Sequence, residues 1–598
     1  MKGSTKGIPA FWLVLLLTLI LGALAVLGLK QDTHPLQGTE LTFQGERVKL
    51  WTENKTDYYL FLPGYEGETE WFLPSGVTLW DEEGPVTGEG LLALTREGEY
   101  ALEVRSFLSR KQITLHTLRL ENTPVLFLTT ATGTMEQVHA DKDTKEEAVL
   151  RLYDEAGGLD YQTAGTDQIK GRGNLTWWTE GKKPYNLILG EESSLLGLGS
   201  GCRWVLLANA LDDTLLRNEF AFELSRRLGL EYTPGSRFLS LYLNGEYAGF
   251  YQLVEKVELS PTRLNPETEE DSVLYLLDPE GQRNSREIDL ASGQEVHAVG
   301  REALSDEDFS QAAAFLQEAE NALLQGGEWT AYFDVDTWVL HYLVDELTEN
   351  ADSGSHSLFF YSAVRNGERK LYCGPVWDYD LSWGSSLSNP YPENFYARKT
   401  MGIEFRPTLY YNTLYHSPAF YDRLVELFRD RALPVMEELL DHWLEDTTAK
   451  FSRAITANNL RWGSPGANLS ENREFLSRRV DFFRSVWLEG EEYCMVEVFF
   501  DKEHMSSWTV KKGGTFREYA ALLGLENTSW SLLQTGEAFG LDDPVTEDLV
   551  ITYQKPAEGS SLLSGGGLLA LSLAALPMLG VGAVALLLLH RKRLRGKG

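Results

Sequence analysis

The sequence predicts an α+β chain built from several domains. Three observations lead there. The 598 residues suit two to four ordinary domains. Apolar residues make up 43 % and aromatics 12 %, with 16 Trp, enough to fill sizeable cores rather than leave a disordered chain. Alternating strand-like segments flank a central stretch in which helical and strand periodicities are mixed.

The two ends are apolar. Phe11 to Leu29 is an uncharged run of 19 residues preceded by Lys2 and Lys6, and residues 1–30 read as a transmembrane helix or a long signal peptide. Residues 568–589 are again uncharged and read as a transmembrane helix. Leu576-Pro577-Met578-Leu579-Gly580 within it lacks the Thr of a sortase signal. A tail at 590–598 with Arg591, Lys592, Arg593, Arg595 and Lys597 follows. An excess of Lys and Arg marks the cytoplasmic side, so the region between the two ends is expected outside the cell membrane. Without the seven basic residues of the ends, 47 basic face 88 acidic residues, a net charge of −41. Such a field argues against a nucleic-acid partner and favours divalent metals or cationic partners. Cys202, Cys373 and Cys494 are too few for a disulfide scaffold.

Between the ends, residues 38–125 alternate apolar and polar positions and predict a β-rich domain. Residues 126–488 are mixed. LLRNEFAFELSRRL, preceded by Asp213-Thr214 and followed by Gly229, carries helix start and stop signals. Asn244-Gly245 between two strand-like runs predicts a hairpin, and Asn366-Gly367 a turn between two short strands. Phe309 to Leu324, Asp336 to Glu349 and most of 418–488 read as helices. Residues 490–556 return to strands, and 557–567, rich in Gly and Ser, read as a flexible linker.

Three constellations bear on chemistry. Lys170-Gly171-Arg172-Gly173-Asn174, followed by Lys182-Lys183, joins glycines that admit close backbone approach to cations suited to a polyphosphate. Asp352 follows a helix end, where a carboxylate is disfavoured by the macrodipole and a turn residue is the plain alternative. Asp378 and Asp380 alternate in an extended-looking segment, and two carboxylates on one side suit a hard cation shared with phosphates. A surface turn explains the pair equally well, and two carboxylates also serve glycoside hydrolysis. Taken in order, the three supply the parts for phosphoryl transfer.

These segments carry a resemblance. IKGRGNLTWW with KKPYNLIL, then WVLLANALDDTLLRNEFAFELSRRLG, YLNGEYAGFYQLVEKVE, DELTENADSGSHSLFFY and YCGPVWDYDLSWG, spread over 167–384, resemble the CotH kinase family of spore coat proteins. The resemblance implies an atypical, two-lobed protein-kinase-like fold that uses ATP with Mg²⁺ or Mn²⁺ to phosphorylate bacterial surface or spore-coat proteins. It implies Lys183 as a phosphate-facing lysine on a strand, with Glu223 as its acidic partner. Glu255 and Lys256 are implied beside the adenine, Asp352 as the catalytic-loop aspartate, and Asp378 and Asp380 as the metal-binding pair. Ile188 departs from the family, which usually has a second Lys there. A weaker resemblance, VEVFFDKE with GLDDPVTEDLVITYQK, links 494–555 to β-grasp repeats of bacterial surface proteins and implies a spacer or adhesive module. The leading expectation is a membrane-anchored, outward-facing kinase. The alternatives are a non-catalytic surface-binding or envelope-organising protein on the same scaffold, and a carbohydrate-active enzyme using Asp352 with Asp378.

Overall fold

A computed structural model describes residues 34–106, 109–266, 272–279, 285–299, 304–385, 391–401, 408–501 and 504–553. The apolar segments at 1–30 and 568–589, the linker at 557–567 and the basic tail lie outside the described residues. Among the described residues no helix is long and apolar enough to cross a membrane.

The N-terminal domain is all β apart from one short helix. Strands β1 (Glu40–Phe43), β2 (Glu46–Lys49) and β4 (Thr69–Phe72) form one sheet; β3 (Asp57–Pro63), β5 (Thr78–Trp80), β6 (Gly98–Ser106) and β7 (Ser109–Leu120) form a second. Alternation supplies one buried face per strand, as in β7, where Ile113 and Leu115 point inward. The predicted strands around Tyr58 and Ile113 are β3 and β7, and they pair in parallel.

The next unit is a sheet closed on itself. It comprises β8 (Val125–Thr130), β9 (Glu146–Tyr153), β10 (Leu159–Gln162), β11 (Asp167–Gly171), β12 (Tyr185–Ser193), β13 (Gly201–Leu207), β14 (Ser236–Leu243) and β15 (Glu246–Glu255). Its order is β10-β9-β11-β12-β13-β15-β14-β8, and β8 pairs with β9 as well, so seven strands form a barrel with β10 appended. Leu128, Leu150, Ile169, Leu187, Trp204, Leu241 and Leu253 fill the interior. The hairpin turn at Asn244-Gly245 is the predicted one, with Asn244 at φ 52° and Gly245 at φ 84°. Helix α1 (Arg217–Leu228) leaves the barrel after β13 and stops at left-handed Gly229.

The second half begins after β15. Strands β16 (Val273–Leu277), β17 (Arg286–Asp289), β18 (Glu295–Val299), β19 (Leu358–Arg365) and β20 (Glu368–Cys373) form a sheet packed against helices α2 (Asp306–Leu324) and α3 (Val335–Thr348). Helices then dominate from Leu409 to α4 (Leu469–Trp487). The last unit comprises β21 (Tyr493–Asp501), β22 (His504–Lys511), a helix Arg517–Leu522, β23 (Trp530–Leu532), β24 (Ala538–Phe539) and β25 (Leu549–Tyr553). Its first and last strands are paired in parallel at the centre of the sheet.

Candidate active site

The barrel contributes cations. In β11, β12 and β13 alternate residues Ile169, Leu187 and Trp204 enter the barrel core, which turns Lys170, Ile188 and Arg203 to the outer face. Ile188 sits between Gln168 and Arg203 in the ladder. Lys256 follows Glu255, the partner of Trp204, and so comes beside Arg203. Burial, reinforced by the like charges of Arg172, Arg203 and Lys170, pushes the Lys256 ammonium down to about 7. Arg172 lies over the Trp377 ring at 5.5 Å. Burial lowers its pKa, and the carboxylates of Asp378 and Asp380 oppose that shift.

The loop after β11 is shaped by close packing. A Cβ on Gly171 would meet the Trp177 ring at 2.5 Å, so only glycine lets the short helix Leu175–Trp178 fold back. Lys183 belongs to this loop, not to a strand. Its ammonium donates to Trp177 O at 2.7 Å and to Thr179 O, ahead of β12. The expected partnership with Glu223 is not formed. Glu223 is held by its helical neighbours, Arg226 at 3.1 Å and Arg227 at 2.7 Å. The carboxylate that faces the barrel is Glu219, one turn earlier, which accepts from Gln252 at 2.8 Å and from Ser236. Lys182, deeply buried, donates to Phe250 O and lies over Tyr251. Glu255 accepts from Gly199 N at 2.7 Å, Gly235 N at 2.8 Å and Tyr232 at 2.8 Å. Its carboxylate thus braces the chain at the crossing between the halves, while Lys256 beside it joins the cations.

The second half contributes carboxylates. The segment after β20 is not extended through Asp378: that residue is left-handed, φ 68°. Tyr379 N donates to Asn218 of α1 at 2.8 Å, and Tyr379 OH to Asp345 at 2.5 Å. Asn218 in turn donates to Asn209 at 3.1 Å, and Asn209 to Gln252 of the barrel at 3.3 Å, so a relay of amides joins the halves through α1. Arg217 adds a bond to Asp380 O at 3.1 Å. Asp345 also accepts from Ser353 at 3.2 Å and Asn350 at 3.4 Å, which fixes the turn carrying Asp352. Burial alone would raise Asp345; His341, Tyr379 and Asn350 bring it below the usual carboxylate range.

These supports bring Asp352, Asp378 and Asp380 together. Burial, then Asp378, Asp380 and Asp278, push Asp352 well above the ordinary range, with Lys399 opposing. Burial with Asp378 and Asp212 pushes Asp380 up to about 8, opposed by Arg172 and Arg217. Ser357 links two of the acids, its N–H to Asp278 at 3.3 Å and its hydroxyl to Asp378 at 3.4 Å. Among the described residues no three His, Cys, Asp or Glu close on one point as a dedicated metal cage does. A carboxylate pair completed by phosphate oxygens is how Mg²⁺ is commonly held, and crowded buried carboxylates facing Arg172 fit a divalent cation on that basis. The pocket lined by Glu318, Asn321, Gln325 and Tyr332 at the end of α2 includes none of these groups.

Arg172 thus faces Asp378 and Asp380, which crowd Asp352, and Lys256 lies beside Arg172, whereas Lys183 and the Glu255 carboxylate brace the chain and Glu223 pairs within its own helix. Sequence reading missed Arg203, Glu219, Asp278 and Lys399. Arg203 had a local signal, since strand alternation puts it on the face of Lys170; the others depend on distant packing.

One relative, the inner spore coat protein H of Bacillus subtilis (strain 168), is 24 % identical over 214 residues, 34 % of this chain and 56 % of that protein. The chain therefore spans about half the length of that curated relative. A crystal structure of the Golgi casein kinase aligns over 62 % of this chain and 76 % of its own, with 10 % identity and a TM-score of 0.22, too loose to place any residue. The CotH kinase protein profile matches residues 169–485, from the β11 loop that carries Arg172 through α4, more than half of the chain and with Arg172, Lys256, Asp352, Asp378 and Asp380 inside it. By that match the chain belongs to the CotH kinase protein family.

Proposed function

We propose that the chain is an ATP-dependent protein kinase that transfers the γ-phosphoryl group to Ser or Thr hydroxyls of surface or spore-coat-type proteins. The observation that carries this reading is the meeting of Arg172, from the barrel, with Asp378 and Asp380, from the other half, beside buried Asp352. Phosphoryl transfer asks a protein mainly to position and neutralise charge. Asp378, with Asp380, would hold Mg²⁺ or Mn²⁺, which shields phosphate charge when bound. Arg172, Lys256 and Arg203 would meet the nucleotide's phosphates, covering the place where Ile188 departs from the family. Asp352 would orient the acceptor hydroxyl and take its proton as a general base. The apolar ends of the sequence support an anchored, outward-facing placement. Protease added to intact cells would then remove the middle and spare a C-terminal tag.

The test separates binding from chemistry. Asp378→Asn should weaken metal-dependent nucleotide binding while the fold survives. Asp352→Asn should keep the nucleotide-induced rise in melting temperature, while labelling from ATP and Mn²⁺ falls by roughly 10²–10⁴-fold. Ile188 and the unformed Lys183–Glu223 pair favour a second reading, a binding module on a kinase scaffold. If both variants bind ATP as wild type does and no acceptor is labelled, that second reading replaces the first.

A further inference from the structure

Residues 391–401 lie between the catalytic half and the C-terminal unit and are held from both sides. On one side, Glu346 of α3 accepts from Tyr396 N at 2.6 Å and from Ala397 N. Arg479 of α4, wholly buried, donates to Asn394 O at 3.1 Å and to Glu349 at 2.6 Å. On the other side, the C-terminal sheet supplies Thr509, whose hydroxyl accepts from Phe395 N at 2.8 Å. It also supplies Ser507, whose carbonyl accepts from Asn394 at 3.1 Å. Buried Glu497 of β21 takes both the N–H and the hydroxyl of Thr400. The residue before Thr400 is Lys399. It is 3 % exposed, stacks 3.7 Å from the Tyr396 ring centre and donates to Ala351 O at 3.3 Å, one residue from Asp352.

This placement has a chemical meaning. Asp352 shares its surroundings with three other carboxylates, and Lys399 is the cation that opposes them. An ammonium tied to the backbone of residue 351 both fixes the turn and offsets part of that negative field. The backbone on either side is held: the Thr408 hydroxyl donates to Lys399 O, and Glu497 of the C-terminal unit fixes the next residue, Thr400, through its N–H and hydroxyl. We propose that the C-terminal β unit is a working part of the site: Glu497 places Lys399, and Lys399 is the positioning residue for the turn that carries Asp352. The catalytic half of this inference rests on the kinase reading above. It assigns the last β unit a role beyond the spacer or adhesive role that its surface-repeat resemblance implies.

The experiment uses the full chain and the variants Glu497→Gln, Lys399→Met and Lys399→Arg. The first readout is amide hydrogen exchange over 350–357, where Ser355 N and His356 N donate to Asp352 O at 3.0 and 2.9 Å. Glu497→Gln and Lys399→Met should each speed exchange there by about tenfold or more through local opening, leaving the barrel strands unchanged. Lys399→Arg should restore slow exchange. The second readout is labelling from ATP: kcat should fall by about tenfold or more with the KM for ATP unchanged, the pattern of a group that acts on the transition state alone. Lys399→Met leaves the contacts of Glu497 in place, so it answers if Glu497→Gln fails to fold. Faster exchange confined to 391–401, with 350–357 unmoved, would overturn the proposal, as would a rise in KM with kcat preserved. A wild-type chain that labels nothing sinks the kinase reading; exchange over 350–357 then still decides whether Glu497 and Lys399 order the turn.

Discussion

The two β units that flank the kinase-like region attach to it with a different balance of apolar and polar contacts. The N-terminal domain shares an apolar core with the barrel: Phe43, Tyr58 and Phe61 pack in one cluster with Phe127, Tyr242 and Tyr247 of β8, β14 and β15. Phe61 and Tyr247 rings lie 4.5 Å apart, and Tyr242 OH donates to Phe61 O at 2.8 Å. The C-terminal unit packs Tyr493 on Phe482 of α4 at 5.1 Å and Met495 in the core of the second half, and adds a polar grip: Glu497 and Thr509 hold the strap 391–401, and Asp548 pairs with Arg398 of the strap and with His416 beyond it. The first attachment buries apolar area on the barrel. The second is directional, and it ends one residue from Asp352. A flanking domain can therefore serve as ballast or as a brace, and the chemistry of its interface tells which.

Phe61→Ala probes the apolar weld. Truncating a buried Phe typically costs about 3–5 kcal/mol, and Phe61 is 1 % exposed. The melting temperature should fall steeply while the nucleotide-induced shift of the folded protein stays unchanged. A lost nucleotide response would break the contrast between the two units.

Asp548→Ala probes the polar grip. Asp548 accepts from Met495 N at 2.7 Å and pairs with Arg398 at 3.4 Å and His416 at 3.5 Å. An unsatisfied buried donor costs about 1–3 kcal/mol. The stability loss should be smaller than for Phe61→Ala, measured in denaturant, yet labelling activity should drop further.

The same contact should respond to pH. Burial would raise the Asp548 carboxyl, but His416, Arg398 and the Met495 amide bring it below its usual value; Asp548 in turn raises His416. A lowered acid contributes stability above its unfolded pKa of about 4 and loses it as pH falls through the folded value. A raised His contributes below its unfolded value of about 6.5 and loses it as pH rises through the folded one. Both contribute between those limits. The wild-type advantage in melting temperature over His416→Ala should be larger at pH 5.5 than at pH 8.5. An advantage independent of pH would remove this pair from the interface.

The smallest effect concerns the thiols. Cys202, Cys373 and Cys494 are all free, with Cys373 and Cys494 buried in separate cores. Reductant should leave the melting temperature unchanged, whereas loss of a native disulfide would cost about 2–5 kcal/mol.

Local signals sufficed for elements whose determinants lie within a few residues. Asn244-Gly245 set the hairpin of β14 and β15, Gly229 stopped α1, and Asn366-Gly367 turned β19 into β20, because left-handed backbone is a property of the residues in the turn. Asp352, Asp378 and Asp380 were legible as candidates through the family resemblance of the segments that carry them; their spacing alone fits surface turns equally well. Other features belong to the tertiary structure. Closure of the barrel by β8 on β9, the choice of Glu219 over Glu223 to face Gln252, and the arrival of Lys399 beside residue 351 all depend on groups far apart in the chain. Backbone preference acts over one or two residues and strand alternation over one strand. Hydrogen bonding and charge act through space, so which carboxylate meets which cation is decided when the barrel, the helices and the strap pack together.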